Sequence, residues 1–329
     1  MNILFISSGD GPDYQCDMLF HGLNELSSVT VYSSSEMWYM FEGNDPVKIS
    51  EMYGKGFSLY NRLKNDRRKE DAQTIVEKIR SKFYDCIIYG SIHRCSDYLN
   101  EVLKNYPKQK IIFIDGEDYD FSLDHHLRFG GYYKPRNYIM WKYLAPISPY
   151  YNKYKLAINL SQKGFYFKRE LRNCDRKYFY PISFAIPEKN VITAPFPNKV
   201  REKALLVPGT LRNAGNPNSY MYNNEKEYYE GYATSVYAVT TKKGGWDCLR
   251  HYEILANRCI PYFLKIEKCP DYIMHTFPKG LIKETNKLIE TGQLKESIAE
   301  HYTGILYDIT RNMLTTKVLA KYVLSMISD

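Results

Sequence analysis

No run of about 18 apolar residues occurs in the 329-residue chain, so the sequence offers no membrane-spanning helix. The opening stretch MNILFISSGD carries neither a basic n-region nor a small-residue cleavage site. It reads as a first strand followed by a turn, and a cytoplasmic protein is expected. Cysteine is sparse: there are seven, an odd number without C-x-x-C spacing, and Cys86 and Cys259 lie inside apolar runs. That pattern fits reduced core thiols and argues against a disulfide framework or a zinc site. A G-x-G-x-x-G fingerprint is also missing. SSGDGPDYQ (7–15) follows the first strand but does not match it, and it has no matching acid after the second strand, which argues against a dinucleotide-binding dehydrogenase. Neither an internal repeat nor a low-complexity tract is present.

What the chain does contain is a globular balance, 44% hydrophobic and 25% charged, at a length that allows two domains, each with a core of its own. The net charge of +8 is spread along the chain rather than gathered in a tail. Its densest patch, NRLKNDRRKEDAQ (61–73), is mixed with acids and fits a solvated helix face. The surplus suits an anionic ligand: a nucleotide, a nucleic acid or a lipid head group. The 32 tyrosines mostly replace Phe in cores and at their edges, while offering hydroxyls wherever a ligand surface needs them.

Short apolar runs alternate with helical patterns, the mark of parallel βαβ units. NILFIS (2–7), VTVYS (29–33), DCIIYGS (85–91) and KIIFID (110–115) read as strands, with helices over 71–83 and 96–106. From Phe121 to about Lys163 a Tyr-rich stretch shows no period. GFYFKREL (164–171) and YFYPISFAIP (178–187) follow as strand candidates, and the Pro-containing stretch 188–203 reads as a linker. A second unit runs through ALLVPGT (204–210), YATSVYAVTT (232–241), a helix opened by Gly244 and Gly245, and the strand CIPYFL (259–264). The segment 315–328 is an amphipathic helix without an evident partner. Two doubly wound units facing each other make a cleft at the carboxyl ends of their strands, where such folds bind ligands.

The stretch GGWDCLRHYEILANRCIPYF (244–263) concentrates polar groups on an otherwise buried pattern. Glycines after a strand let the backbone approach a ligand, and a helix start favours an anion such as a diphosphate. The basic pair Lys242 and Lys243 precedes them, Arg250 sits where a guanidinium can grip phosphate oxygens, and Glu253 can accept two ribose hydroxyls. An ordinary ion-paired helix explains the same residues without a ligand.

RHYEILANRCIPYF resembles the R-x-x-E-A-L-A-x-G-C-I-P pattern in the C-terminal donor domain of GT-B glycosyltransferases, of the exostosin-like and family-1-like groups. The likeness covers roughly 232–280. It implies a GT-B-like α/β fold of two Rossmann-like domains, with Arg250 on phosphate and Glu253 on ribose. One departure stands out, since the family's glycine before C-I-P is Arg258 here. DYQCDMLFHGL (13–23), IIYGSIHRC (87–95), IDGED (114–118) and YFKREL (166–171) also look like segments of a bacterial and viral set of glycosyltransferases.

Glycosyl transfer asks for a base on the acceptor side. Asp115, Glu117 and Asp118 follow a strand and are candidates, as are Asp13 and His93; turn and cap roles are the plain alternatives. A D-x-E-D cluster can also hold a divalent metal, but the donor motif is of the metal-independent kind, so no cofactor beyond the nucleotide-sugar co-substrate is expected. Lys168 and Arg169 are candidates to neutralise a leaving diphosphate. The expected division is an acceptor-side domain over 1–190, a nucleotide-sugar domain over 191–310, and a helix over 311–329 packing back on the first. The expected acceptor is a polysaccharide, glycolipid or protein glycan, and a membrane periphery and DNA are the two places where a cytoplasmic enzyme of this kind could act. The alternatives are a hydroxylated base in DNA and a non-catalytic nucleotide-sugar binder.

Overall fold

The computed structural model describes residues 1–64, 68–121, 149–193, 197–205 and 222–327. Strand β1 (Asn2–Ile6) sets the layering, because Ile3 and Phe5 enter one apolar cluster while Leu4 and Ile6 enter another on the opposite face. It lies between β2 (Thr30–Ser33) and β3 (Cys86–Tyr89), and β4 (Ile111–Asp115), β5 (Phe165–Lys168) and β6 (Tyr180–Pro181) continue the sheet. Every pairing is parallel, in the order β2-β1-β3-β4-β5-β6.

Both faces of this sheet are covered, as all-parallel sheets require. On one side lies α1 (Tyr14–Asn24); α2 (Pro46–Ser50) belongs to a long excursion after β2; and α3 (Ala72–Arg80), α4 (Leu99–Asn105) and α5 (Pro149–Ser161) cover the other side. Aspartates start three of these helices: Asp13, Asp45 and Asp71 accept from the amides of Cys16, Val47 and Thr74.

A second parallel sheet, in the order β7-β8-β9, is built from β7 (Arg201–Lys203), β8 (Ser235–Thr240) and β9 (Ile260–Phe263). With it go α6 (Glu225–Ala233), α7 (Leu249–Ala256), α8 (Lys279–Glu290) and α9 (Glu296–Met313). Helix α10 (Thr316–Leu324) then lies on α1. His21 Nδ1 meets Thr316 Oγ1 at 3.0 Å, and a Cβ on Gly22 would collide with the Thr316 carbonyl. A bulkier residue at 22 would lever the two helices apart.

The structure departs from the sequence reading in five places. The largest apolar cluster is continuous through both sheets, joining Ile3 and Phe5 to Ile260 and Phe263, rather than split into two cores. The stretch read as a linker contains β7. Strand β6 is two residues long, because Pro181 offers no amide to a ladder. The aperiodic Tyr-rich stretch holds α5, whose Tyr and Asn content hid its pattern; 122–148 lies outside the described residues. Finally, α7 begins at Leu249 rather than at the two glycines. Asp247 stops an earlier start: its amide donates to Glu170, while its carboxylate accepts from Phe184 N at 2.7 Å and Tyr252 OH at 2.9 Å. The strand candidate 204–210 lies mostly outside the described residues.

Candidate functional site

A cleft of about 200 Å³ opens where the strand ends of the two sheets meet. Asp118, after β4, and Tyr14, at the start of α1, line it from the first sheet's side, and Lys243, Gly244 and, on α7, Arg250 and Glu253 from the second's. Of the acids and histidine expected to serve as base, Asp118 alone is among its lining residues. Its Oδ1 pairs with Arg169, and its Oδ2 lies over Gly244, where a Cβ would collide with it. The Asp118 side chain is 55% exposed, so a substrate can reach it.

The other candidates are engaged elsewhere. Asp115 is fully buried, held by Lys168 Nζ at 2.8 Å and by His93 Nε2 and Tyr166 OH at 2.9 Å each. Burial alone would raise its pKa, but the Lys168 ammonium and His93 outweigh it and hold the carboxyl well below the ordinary aspartate value. A carboxylate so held is a poor proton acceptor, so this geometry does not fit the expected role of Asp115 as base. His93, 3% exposed at its side chain, lies against Asp115 rather than along the cleft. Asp13 spends one oxygen capping α1 and the other on Arg94 Nε at 3.2 Å. Glu117 faces the same arginine at 3.7 Å.

Lys168 and Arg169, expected to neutralise a leaving diphosphate, are both buried in ion pairs. Lys168 is fully buried on Asp115, its register partner across β4 and β5, with its ammonium 4.3 Å from the Tyr119 ring centre. Arg169, 2% exposed, donates to the Gly116 carbonyl at 2.9 Å and to the Asp247 carbonyl at 2.6 Å, tying the first sheet's loop to the second's. Beside it burial pushes Glu170 up to about 7 and Asp247 up to about 6, against the pull of the Arg169 guanidinium.

Of the residues around the 244–263 stretch, Lys243, Gly244, Gly245, Arg250 and Glu253 line the cleft, and Lys242 is not among its lining residues. Lys242 stands with its ammonium 5.2 Å from the Trp246 ring centre. Desolvation by burial, and after it the nearby Arg250 guanidinium, pull Lys243 below its ordinary value. Gly245 is demanded by the Glu170 carboxylate, which would meet any Cβ there. Neutral, buried His251 fixes the turn, meeting Thr240 Oγ1 at 2.9 Å and the Trp246 carbonyl at 3.0 Å; burial lowers its pKa to about 3. Arg258 takes φ 51, the left-handed conformation that a glycine supplies, and its guanidinium stacks 3.6 Å from the Tyr307 ring centre.

Glu253 is buried, with Ser58 Oγ donating to Oε1 and Tyr228 OH to Oε2 at 2.6 Å. Burial raises its pKa, only partly offset by these hydroxyls and by Arg250. Ser58 and Tyr228 were not singled out in the sequence. The G-K-G-F-S run and the tyrosines four apart at 228 and 232 were the available signals.

Among the described residues, no group of three or more His, Cys, Asp or Glu side chains is arranged to hold a metal ion, and no helix is long and apolar enough to cross a membrane. No family model matches the chain, and no curated protein matches it. Among solved structures it is similar to the "Glycotransferase of kitacinnamycin", at 9% identity over 99% of each chain with a TM-score of 0.43.

Proposed function

We propose that the protein is a metal-independent glycosyltransferase of GT-B type, with a nucleotide-sugar seated on the second sheet and a hydroxyl acceptor entering over the first. The observation that carries this reading is the convergence of Lys243, Gly244, Arg250 and Glu253 with Asp118 around one cleft. The domain division is taken as 1–190 for the acceptor side, 191–310 for the donor side and 311–329 for the returning helix.

In this scheme Lys243, Arg250 and the first turn of α7 hold the diphosphate and take up the charge it gains as a leaving group. Glu253 accepts the ribose hydroxyls. Asp118, its Oδ1 fixed by Arg169, uses Oδ2 to take the acceptor's proton as that oxygen attacks the anomeric carbon. Such a base contributes about 10²–10⁴ in rate. Asp118→Asn is therefore expected to lose turnover by that factor with nucleotide binding intact, and Glu253→Ala to lose binding, read by calorimetry with nucleoside diphosphates and by sugar release. Full activity in both variants would sink the assignment. The acceptor is proposed to be a glycan or lipid-linked sugar; retention on DNA that weakens with salt would move it to a modified base instead. A non-catalytic binder is a weaker reading, because Arg258 takes the left-handed conformation that a glycine supplies.

A further inference from the structure

We infer that residues 54–58 form a strap that occupies the nucleoside end of the donor pocket, with the Ser58 hydroxyl standing in for a ribose hydroxyl. This rests on the donor reading of the cleft and adds the state in which the pocket waits.

Three independent observations lead there. Each oxygen of Glu253 already accepts from a hydroxyl of the chain itself, Ser58 or Tyr228, the same kind of donor that a ribose presents. Ser58 is the one on a separable element: it comes from the excursion after β2, 195 positions from Glu253. The cleft of about 200 Å³ is also below the roughly 300–1,000 Å³ that small-molecule sites offer. A second cleft, of about 470 Å³, is lined by Lys55, Gly56 and Phe57 of the strap, and Phe57 lines both clefts. Moving the strap joins the two into one groove. Lastly, the strap and its flank hold three non-glycine residues in the left-handed region, Lys55 at φ 54, Ser58 at φ 73 and Asn61 at φ 58, a strained backbone that its anchors must sustain.

Those anchors are exchangeable. Phe57 stacks on Tyr228 with ring centres 5.7 Å apart, the Ser58 amide and Arg62 both donate to Glu225 of α6, and Asn190 Nδ2 donates to the Ser58 carbonyl at 2.8 Å. Just beyond, Tyr60 OH is fixed on buried Asp17 at 2.9 Å, which gives the strap a firm hinge. A nucleoside diphosphate displaces Ser58, places its ribose on Glu253, and lays its base along the groove the strap vacates. Binding therefore carries the cost of opening the strap.

The test uses the full chain and UDP, GDP, CDP, dTDP and ADP as probes in calorimetry, on wild type, Ser58→Ala and Glu225→Ala, with hydrogen exchange of the strap amides. Either variant is expected to tighten the nucleotide that binds by about tenfold, the worth of one hydrogen bond to a charged group. Glu225→Ala loosens the same end of the strap through the Ser58 amide and Arg62, leaving the Ser58 hydroxyl in place, should Ser58→Ala fold poorly. Amides 54–58 are expected to exchange faster with nucleotide bound. Unchanged or weaker binding in both variants, or strap amides protected by the nucleotide, would overturn the strap while leaving the donor site standing, provided Glu253→Ala still abolishes binding. No binding to any of the three proteins would overturn both.

Discussion

Asp115, at the end of β4, and Glu253, on α7, are both buried carboxylates, yet their surroundings treat them in opposite ways. Asp115 is met by the Lys168 ammonium and is held charged. Glu253 is met at its oxygens by two neutral hydroxyls, and burial raises its pKa. A buried charge paired with a cation is locked, because removing either partner strands the other. A carboxylate satisfied by hydroxyls can exchange them for the hydroxyls of a ligand with no change in charge. The first acid is a strut and the second is a socket.

The largest expected effect breaks the strut. Lys168→Met leaves Asp115 buried without its cation and should cost about 3–5 kcal/mol of stability in urea unfolding. Glu253→Gln keeps an acceptor and should cost no more than about 1 kcal/mol. Equal losses would erase the contrast.

The pH dependence sharpens it. Asp115 ionises more readily folded than unfolded, so its contribution is present above the ordinary aspartate value of 3.8 and is lost as pH falls through its lower folded value. Glu253 ionises less readily folded than unfolded. It favours the folded state below the ordinary 4.5, and that advantage is lost as pH rises through its higher folded value. The stability difference between wild type and Asp115→Asn should therefore grow with rising pH, and that between wild type and Glu253→Gln should shrink. Melting temperatures across pH give both slopes, and slopes of the same sign would contradict the assignment.

The smallest effect concerns the turn behind the socket. Arg258→Gly relieves a left-handed side chain but gives up the stacking on Tyr307. The two terms are each about 1 kcal/mol and opposed. Stability should stay within about 1 kcal/mol and nucleotide affinity should be unchanged; a large loss would mean that the Tyr307 contact orders the turn.

Much of this was legible because it is local. The strands of the first sheet are apolar runs, and the donor-side residues sit in one continuous stretch, so their shared neighbourhood follows from the chain alone. What was not legible depends on distant partners. Position at a strand end does not say whether a side chain faces the cleft or the sheet beneath it, and Asp115 is committed by Lys168, 53 positions later. Ser58, in the excursion after β2, reaches Glu253 on α7, 195 positions later. The late start of α7 is likewise set by Glu170, 77 positions before the amide it holds.

The contact of α10 with α1 has a consequence for how the chain reaches this state. The His21 to Thr316 hydrogen bond spans 295 positions, so one face of a helix that forms among the earliest residues is covered only by residues made much later. During synthesis that face, with its uncovered Gly22 notch, has to wait. Closing so long a loop is slow compared with forming the strands between, and transiently exposed apolar surface invites aggregation. Helix α10 is in that sense the step that completes the first sheet's outer layer, and chains stopped before residue 316 leave the ribosome with that layer open.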